Sequence, residues 1–301
     1  MPIIQTHILQ VSSEDDQLRL DIYLARHIPG ELSRTFVKRL IDSGQVKVND
    51  QPVKAHYKVS LRDHICVQMA QLPRDNRLAA EDIDLQVFYE DEYMMVVNKP
   101  AGMLVHPAGN RVSGTLVNAL LNHCDKLSDV NTDVRPGIVH RLDEETSGLI
   151  LIAKDNKTHI RLSRHFEKHK IRKRYLALVE GSVAFDEGVI DAPIDRHPRY
   201  HDKKAVAFND RAKAAKTFYQ VVKRWEKATL IRLFPMTGRT HQLRVHMAYL
   251  GHPVLGDEKY GRKESFPRLA LHAQAIGLFH PETKEYIEFC SRAPDEFLAY
   301  S

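Results

Sequence analysis

The densest run of reactive side chains in the sequence is Gly137-Ile138-Val139-His140-Arg141-Leu142-Asp143-Glu144-Glu145-Thr146-Ser147-Gly148, which leads straight into the apolar stretch Leu149-Ile150-Leu151-Ile152. A turn bearing His, Arg and three carboxylates at the mouth of an apolar strand is how a rigid sheet presents a reactive loop. A neighbouring base would keep Asp143 ionised, as a nucleophile or proton acceptor must be. Glu144 and Glu145 read as solvent-facing. Taken alone, the same pattern also fits a salt-bridged turn without chemistry. A second polar run, Met236-Thr237-Gly238-Arg239-Thr240-His241-Gln242-Leu243-Arg244-Val245-His246, opens a helical pattern. Free N–H groups at a helix start favour an anion, and Arg239 and His241 would add to a phosphate site there. Arg244 falls beside Leu243 on the apolar stripe. It is predicted to point inward and to need a buried carboxylate partner, with Asp143 the first candidate. His241 and His246 equally fit capping or surface positions.

Other chemistries find little support. There is no HExxH, and His165 with His169 is an i, i+4 pair in a basic segment without an obvious third ligand. GxGxxG, GxxxxGK[ST] and GxSxG are absent too, so neither a metal nor a nucleotide or other cofactor is expected. Cys66, Cys124 and Cys290 are odd in number, far apart and outside any CxxC, and read as buried reduced thiols. With 43% hydrophobic and 28% charged residues, the 301-residue chain is neither disordered throughout nor a polytopic membrane protein. Its start carries acids where a signal peptide needs an apolar core, so the expectation is a cytoplasmic protein.

These loops must be held by elements, and two organisations follow one another along the chain. Residues 1–13 read as an extended tail. In residues 14–70, Leu20 and Leu24 mark a short helix broken at Pro29-Gly30. Ser33 is a candidate N-cap for a second helix with the stripe Phe36, Val37, Leu40 and Ile41, and Val46 to Val53 reads as a hairpin. Arg34 and Lys38 lie one turn apart on the polar face of that second helix, beside Arg39. This unit resembles the small S-four-type RNA-binding domain. Residues 71–84 are polar, acidic and irregular, as a linker is. From 85 to 301 the sequence changes to short β-branched segments: Gln86–Tyr89, Tyr93–Asn98, Gly148–Ala153, Tyr175–Glu180, Thr217–Val222 and Ala228–Phe234. Helices are predicted after Asp155-Asn156 and over Thr240–Leu250. Runs of strands with few helices predict an α+β fold around a mostly antiparallel sheet.

The net charge of +5 is unevenly spread. Residues 26–62 hold eight bases and three acids, 154–174 nine and two, and 196–216 seven and two, whereas 81–92 hold six acids and no base. Basic blocks separated by acidic ones fit a polyanion-facing side, because Lys and Arg displace counterions from closely spaced phosphates. They also fit ordinary solvated faces.

Read together, the segments resemble the RluA-type pseudouridine synthases. His140-Arg141-Leu142-Asp143-Glu144-Glu145-Thr146-Ser147-Gly148 is similar to the family's HRLDxxTSG signature, and Thr237 to His246 to its TGRTHQxRVH motif. Asn98-Lys99-Pro100-Ala101-Gly102, Val105-His106-Pro107, Arg174-Tyr175 and Leu271-His272-Ala273 match further motifs in order. The resemblance covers about residues 85–295, and an S-four unit in front fits the branch that acts on the large ribosomal subunit. It implies the pseudouridine synthase fold and an isomerase that detaches uracil from ribose and rejoins it through carbon 5 without metal or cofactor; a monomer is the default expectation. By the same resemblance Asp143 is the catalytic carboxylate and Arg244 its ion-pair partner. Tyr175 stacks on the target base and helps remove the carbon 5 proton, and Arg141 fills the space left by the flipped nucleotide. His140, Arg239, His241, Arg34, Lys38 and Arg39 are the further expected RNA contacts. The implied partner is 23S ribosomal RNA, in its intersubunit stem-loop. A different rRNA or tRNA site, a non-catalytic ribosome-assembly factor and a metal-dependent nuclease are the alternatives; the assembly factor leaves the Asp143 loop unexplained, and insensitivity to EDTA with intact RNA product would remove the nuclease.

Overall fold

The computed structural model describes residues 4–28, 34–70, 78–108, 111–130 and 135–300. The chain divides into two compact units, one ending at Leu78 and one running from Ala79 to Ser301 apart from the segment Val130–Val134.

In the N-terminal unit, α1 (Leu20–His27) and α2 (Arg34–Asp42) accompany a four-stranded sheet, β1 (Ile4–Gln10), β4 (His64–Ala70), β2 (Val46–Val48) and β3 (Gln51–Pro52), in that order. Leu20 and Leu24 of α1 and Val37, Leu40 and Ile41 of α2 are buried with Val46, Val48, Ile65 and Val67. The helical and alternating apolar positions therefore meet in one core, as their periods require. Residues 4–10 correct the expectation of a tail: they pair along their whole length with β4. Their alternation puts His7 and Leu9 inward and Ile8 outward, which an edge strand satisfies and a free tail does not. Lys38 is exposed on α2. Ser33 and the side chains of Arg34 and Arg39 lie outside the described residues.

The C-terminal unit is built on a nine-stranded sheet. Its order is β5 (Val87–Glu90), β6 (Met94–Lys99), β7 (Ser147–Ala153), β14 (Leu271–Phe279), β8 (Arg172–Glu180), β13 (Ala228–Pro235), β12 (Lys216–Arg224) and β9 (Glu187–Asp191), with β15 (Tyr286–Cys290) also on β14. All of these pairs are antiparallel except β7 with β14, so the sheet is mixed but mostly antiparallel. Every residue of β7 is buried, which explains its unbroken apolar run: one side packs with β6, β14 and α4 (Asn156–Glu167), and both faces are covered. A second core joins β8, β13 and α5 (Gln242–Tyr249). The helix α3 (Leu116–His123), capped by a Thr115–Asn118 capping box, escaped the sequence reading, as did the hairpin of β10 (Ile194–Arg196) and β11 (Lys204–Val206) and the short α6 (Asp295–Leu298). Residues 71–77 of the expected linker lie outside the described residues. From Ala79 onward the segment is tied to α3, because Asn118 Nδ2 donates to Ala79 O and Glu81 Oε2 accepts from the Gly114 N–H. All three cysteines are free, but Cys290 is exposed and Cys66 and Cys124 are only half-buried, against the expectation of buried thiols. No helix among the described residues is long and apolar enough to cross a membrane.

Candidate active site

The loop before β7 is anchored from beneath by Lys99, at the end of β6. Its side chain is fully buried, and Nζ donates to the carbonyls of Pro100 (2.8 Å), Met103 (2.9 Å) and Glu144 (2.8 Å). Burial pushes the ammonium down to about 8 against the opposing pull of Glu145, Asp143 and Glu144. Glu144 O also accepts from the Gly102 N–H, and Asp143 O accepts from the Thr146 N–H, closing the turn at 3.1 Å. Glu145 is exposed as expected, but Glu144 is ion-paired to Arg111 at 2.6 Å and partly buried. Gly148 then takes φ +114°, and a Cβ there would lie 2.3 Å from Ala273 O, so only glycine lets β7 approach β14 this closely. The result is a half-buried Asp143 carboxylate held on a fixed backbone.

Arg244 points inward as its stripe position demands and does pair with Asp143, but its shorter bonds go to a second carboxylate that the sequence pattern does not mark. Nε and Nη2 donate at 2.7 Å to the two oxygens of Asp257, whose side chain is fully buried. Nη1 reaches Asp143 Oδ2 only at 3.5 Å. Burial alone would lower the guanidinium pKa; hydrogen bonding and charge from Asp257, with Asp143, raise it instead. Asp257 also accepts from the N–H groups of Lys259 and Tyr260. Arg244 is thus locked by one carboxylate and offers a weaker contact to another, leaving Asp143 paired in charge but free to reach a substrate.

The 237–241 loop is organised by Gln242, a buried side chain the sequence reading passed over. Its Oε1 accepts from Thr237 Oγ1 and the Arg239 N–H, and its Nε2 donates to Lys216 O and Thr217 Oγ1, pinning the loop to β12. The Gln242 N–H at the helix start donates to Arg239 O, so part of the expected anion cradle is already used. His241 stands with φ +56°, its Nδ1 2.8 Å from Tyr260 Oη and its Nε2 4.0 Å from Asp143 Oδ1; burial lowers its pKa while Asp143 opposes. Arg239 is exposed, with Nε donating to Ala214 O. His246 is fully buried between Thr217 Oγ1 and Ala192 O and is neither cap nor surface.

Between the two loops runs β8, which carries Tyr175 into the same space. Burial and then Asp143 raise its phenol pKa, so the ring is neutral at rest. Loop 139–143, β8 and segment 237–244 line one cleft of about 560 Å³, which contains Arg141, Asp143, Tyr175, Arg239, His241 and Arg244 together. Arg141 is exposed at it. His140 faces the fold: its Nε2 accepts from the Leu151 N–H and its ring stacks on Phe166 at 4.6 Å. Burial, with Lys173 nearby, pushes it down to about 3, so it is a neutral acceptor that ties the loop to β7.

Residues 93–249, which contain both loops and β8, match the family described as RNA pseudouridylate synthase. The chain belongs to that family. Within it, this synthase is of the RluA type, as its full-length synthase D relatives are, and residues 18–65 match the S4 domain, an RNA-binding module. The synthase is 41% identical over 290 residues to an uncharacterized RNA pseudouridine synthase of Bacillus subtilis, covering 96% of this chain and 94% of that one. It is also 41% identical over 292 residues to the ribosomal large subunit pseudouridine synthase D of Zymomonas mobilis, covering 92% and 91% of the two chains. Among solved structures, human RNA pseudouridylate synthase domain containing 1 is similar with a TM-score of 0.59 and 27% identity, over 71% of this chain and 85% of that one. The synthase is therefore an RNA-modifying isomerase. Outside its cleft, Glu90, His123 and Cys124 bring one ligand atom each within 4.8 Å of one another, but Lys154 and His123 already hold the Glu90 carboxylate.

Proposed function

We propose that this synthase isomerises uridines of 23S ribosomal RNA, in the intersubunit stem-loop, in the cytoplasm, with Asp143 as the catalytic carboxylate. Residues 14–70 dock RNA, and residues 85–301 carry out the reaction. The observation that carries the reading is Asp143, half-buried in a cleft with Tyr175 on one side and the Asp257-locked Arg244 on another. A base must leave its stack to enter such a cleft, at a cost of about a few kcal/mol. Tyr175 offers a ring for the extruded uracil, worth roughly 1–3 kcal/mol per stacked base. Its raised pKa favours stacking over proton removal, because the phenolate needed to accept the uracil carbon 5 proton is disfavoured by both burial and Asp143. Arg141 is exposed at the cleft, which supports a role in stacking in the vacated position and holding phosphate. Arg239 and His241 contact the RNA from the opposite loop, and Lys38 with Arg34 and Arg39 from α2. The large-subunit substrate draws its support from relatives such as the Zymomonas protein.

A second reading is another RNA target, since the equally similar Bacillus protein is named for RNA pseudouridine synthesis without a substrate. Incubating the synthase separately with unmodified 23S rRNA and with unmodified tRNA, and mapping pseudouridine by carbodiimide treatment and primer extension, decides between them. Stops confined to the 23S intersubunit stem-loop are expected; modification of tRNA alone would replace the first reading with the second.

A further inference from the structure

A second cavity of about 520 Å³ adjoins the catalytic cleft, and the two share His169, Lys173, Pro235 and Thr237 in their walls. Its chemistry is basic on one side and apolar on the other. Arg172, Lys173, Arg174 and Lys216 line it with a single carboxylate, Glu288, while Phe234, Pro235 and Met236 supply the apolar wall, with Met236 53% exposed. Two of the four cations are already engaged: Arg174 pairs with Glu288 at 3.6 Å and Lys216 with Asp191 at 3.0 Å. Arg172 lies 5.7 Å from the Tyr286 ring centroid. Lys173 differs from all of them. It sits in the partition between the cavities, largely withdrawn from water, with only a long 3.5 Å contact to Thr237 O and no carboxylate at ion-pair distance among the described residues. Burial lowers its pKa to about 8 and no anion opposes that shift, yet at neutral pH it still carries its charge.

A cation largely withdrawn from water without a counter-ion gains from a ligand that supplies one. We propose that the second cavity is the subsite for the nucleotide adjoining the target uridine, with Lys173 holding the phosphodiester between the two. The ligand class is single-stranded RNA, and the inference rests on the RNA-modifying reading given above. When a target base enters the first cleft, the chain leaves its neighbour within one phosphodiester of that cleft, and the shared wall is where the linking phosphate has to pass. A base against Phe234, Pro235 and Met236 gains contact with apolar surface whatever its identity, whereas the phosphate on Lys173 gives affinity and register. Lys173 is a binding residue here and takes no part in the bond changes at Asp143.

The test compares wild type with Lys173→Gln, Lys173→Arg and Met236→Glu on unmodified 23S rRNA. It measures KM and kcat for pseudouridine formation, and RNA affinity by filter binding across roughly 50–300 mM KCl. Lys173→Gln is expected to raise KM about tenfold with kcat within about twofold, and to make the slope of log affinity against log salt shallower by about 0.7, the release expected for one phosphate contact on a single strand. Lys173→Arg should restore the slope, and Met236→Glu should raise KM without altering kcat. A slope and KM unchanged in Lys173→Gln, or a loss confined to kcat, would overturn the phosphate contact; an unchanged KM in Met236→Glu would overturn the base subsite. A wild type that makes no pseudouridine would instead overturn the underlying reading, and the binding measurements remain readable in that case.

Discussion

Asp143 owes its geometry to residues whose importance differs greatly in how visible it is along the chain. Arg244 announces itself, as a base on an apolar stripe. Asp257 does not: in Val254-Leu255-Gly256-Asp257 it looks like a polar turn, and only the fold brings it to the guanidinium thirteen positions earlier. The local signal was Gly256, with φ +69° and a would-be Cβ 2.0 Å from Arg268 O, since a chain this tightly folded needs glycine. Lys99 and Gln242 stand inside matched motifs, but their roles are silent, because a lysine satisfied by three carbonyls and a glutamine that pins a loop are defined by contacts distant in sequence. The pairing makes a specific expectation. Asp257→Asn removes the buried counter-charge and sets an amide NH2 against one guanidinium N–H, leaving Asp143 at 3.5 Å as the remaining carboxylate, so unfolding stability in urea should fall by about 3–5 kcal/mol. Single-turnover pseudouridine formation should fall about 100-fold through misplacement of Arg244 against Asp143, with KM little changed. Unchanged stability and rate would mean that Asp143, and not Asp257, is the guanidinium's true partner.

Strands with β-branched runs were readable to within a few residues, and β6, β7, β12 and β13 stand close to where their patterns put them. The central β14 was not: Ala273, Ala275 and Gly277 dilute its hydrophobic signal, yet small residues are what let three strands crowd its edges. His272 on this strand joins β7 to the segment after β15. Arg268 donates to Ser147 Oγ and Ser291 Oγ donates to Gln274 O, so Ser147 gives its proton to His272 Nδ1, and His272 Nε2–H donates to Ser291. That pattern needs a neutral ring, and burial, followed by Arg268, lowers its pKa to about 4. Between the unfolded value of 6.5 and about 4, the unfolded chain takes up a proton that the folded one refuses. Stability from this group is therefore present above pH 6.5 and lost as pH falls toward 4, with a slope of at most about 1.4 kcal/mol per pH unit. Urea unfolding between pH 7 and 4.5 should show a shallower loss in His272→Gln than in wild type, and parallel curves would contradict the tautomer assignment.

Over the whole molecule, the small net charge conceals a division of labour. The α2 block belongs to the S4 unit, whereas the second block supplies Lys173 and the start of β8 at the cleft. The acidic stretch 81–92, which cancels much of this, is spent on fixing structure: Glu81 on the Gly114 N–H, Glu90 on Lys154 and His123, and Asp91 on His280. Each unit has its own core, so removing residues 1–70 should leave a folded catalytic unit, with Ala79 and Glu81 still strapped to α3. RNA affinity should drop and its salt slope become shallower while slow modification persists; unchanged affinity would remove the S4 unit from RNA docking. The most direct measurement is pseudouridine mapping on unmodified 23S rRNA with wild type and Asp143→Asn, alongside RNA binding by both. Removing only the charge of this half-buried carboxylate should abolish modification and leave binding within about threefold. Pseudouridine formed by Asp143→Asn at a rate near wild type would contradict the assignment of Asp143 as the catalytic group.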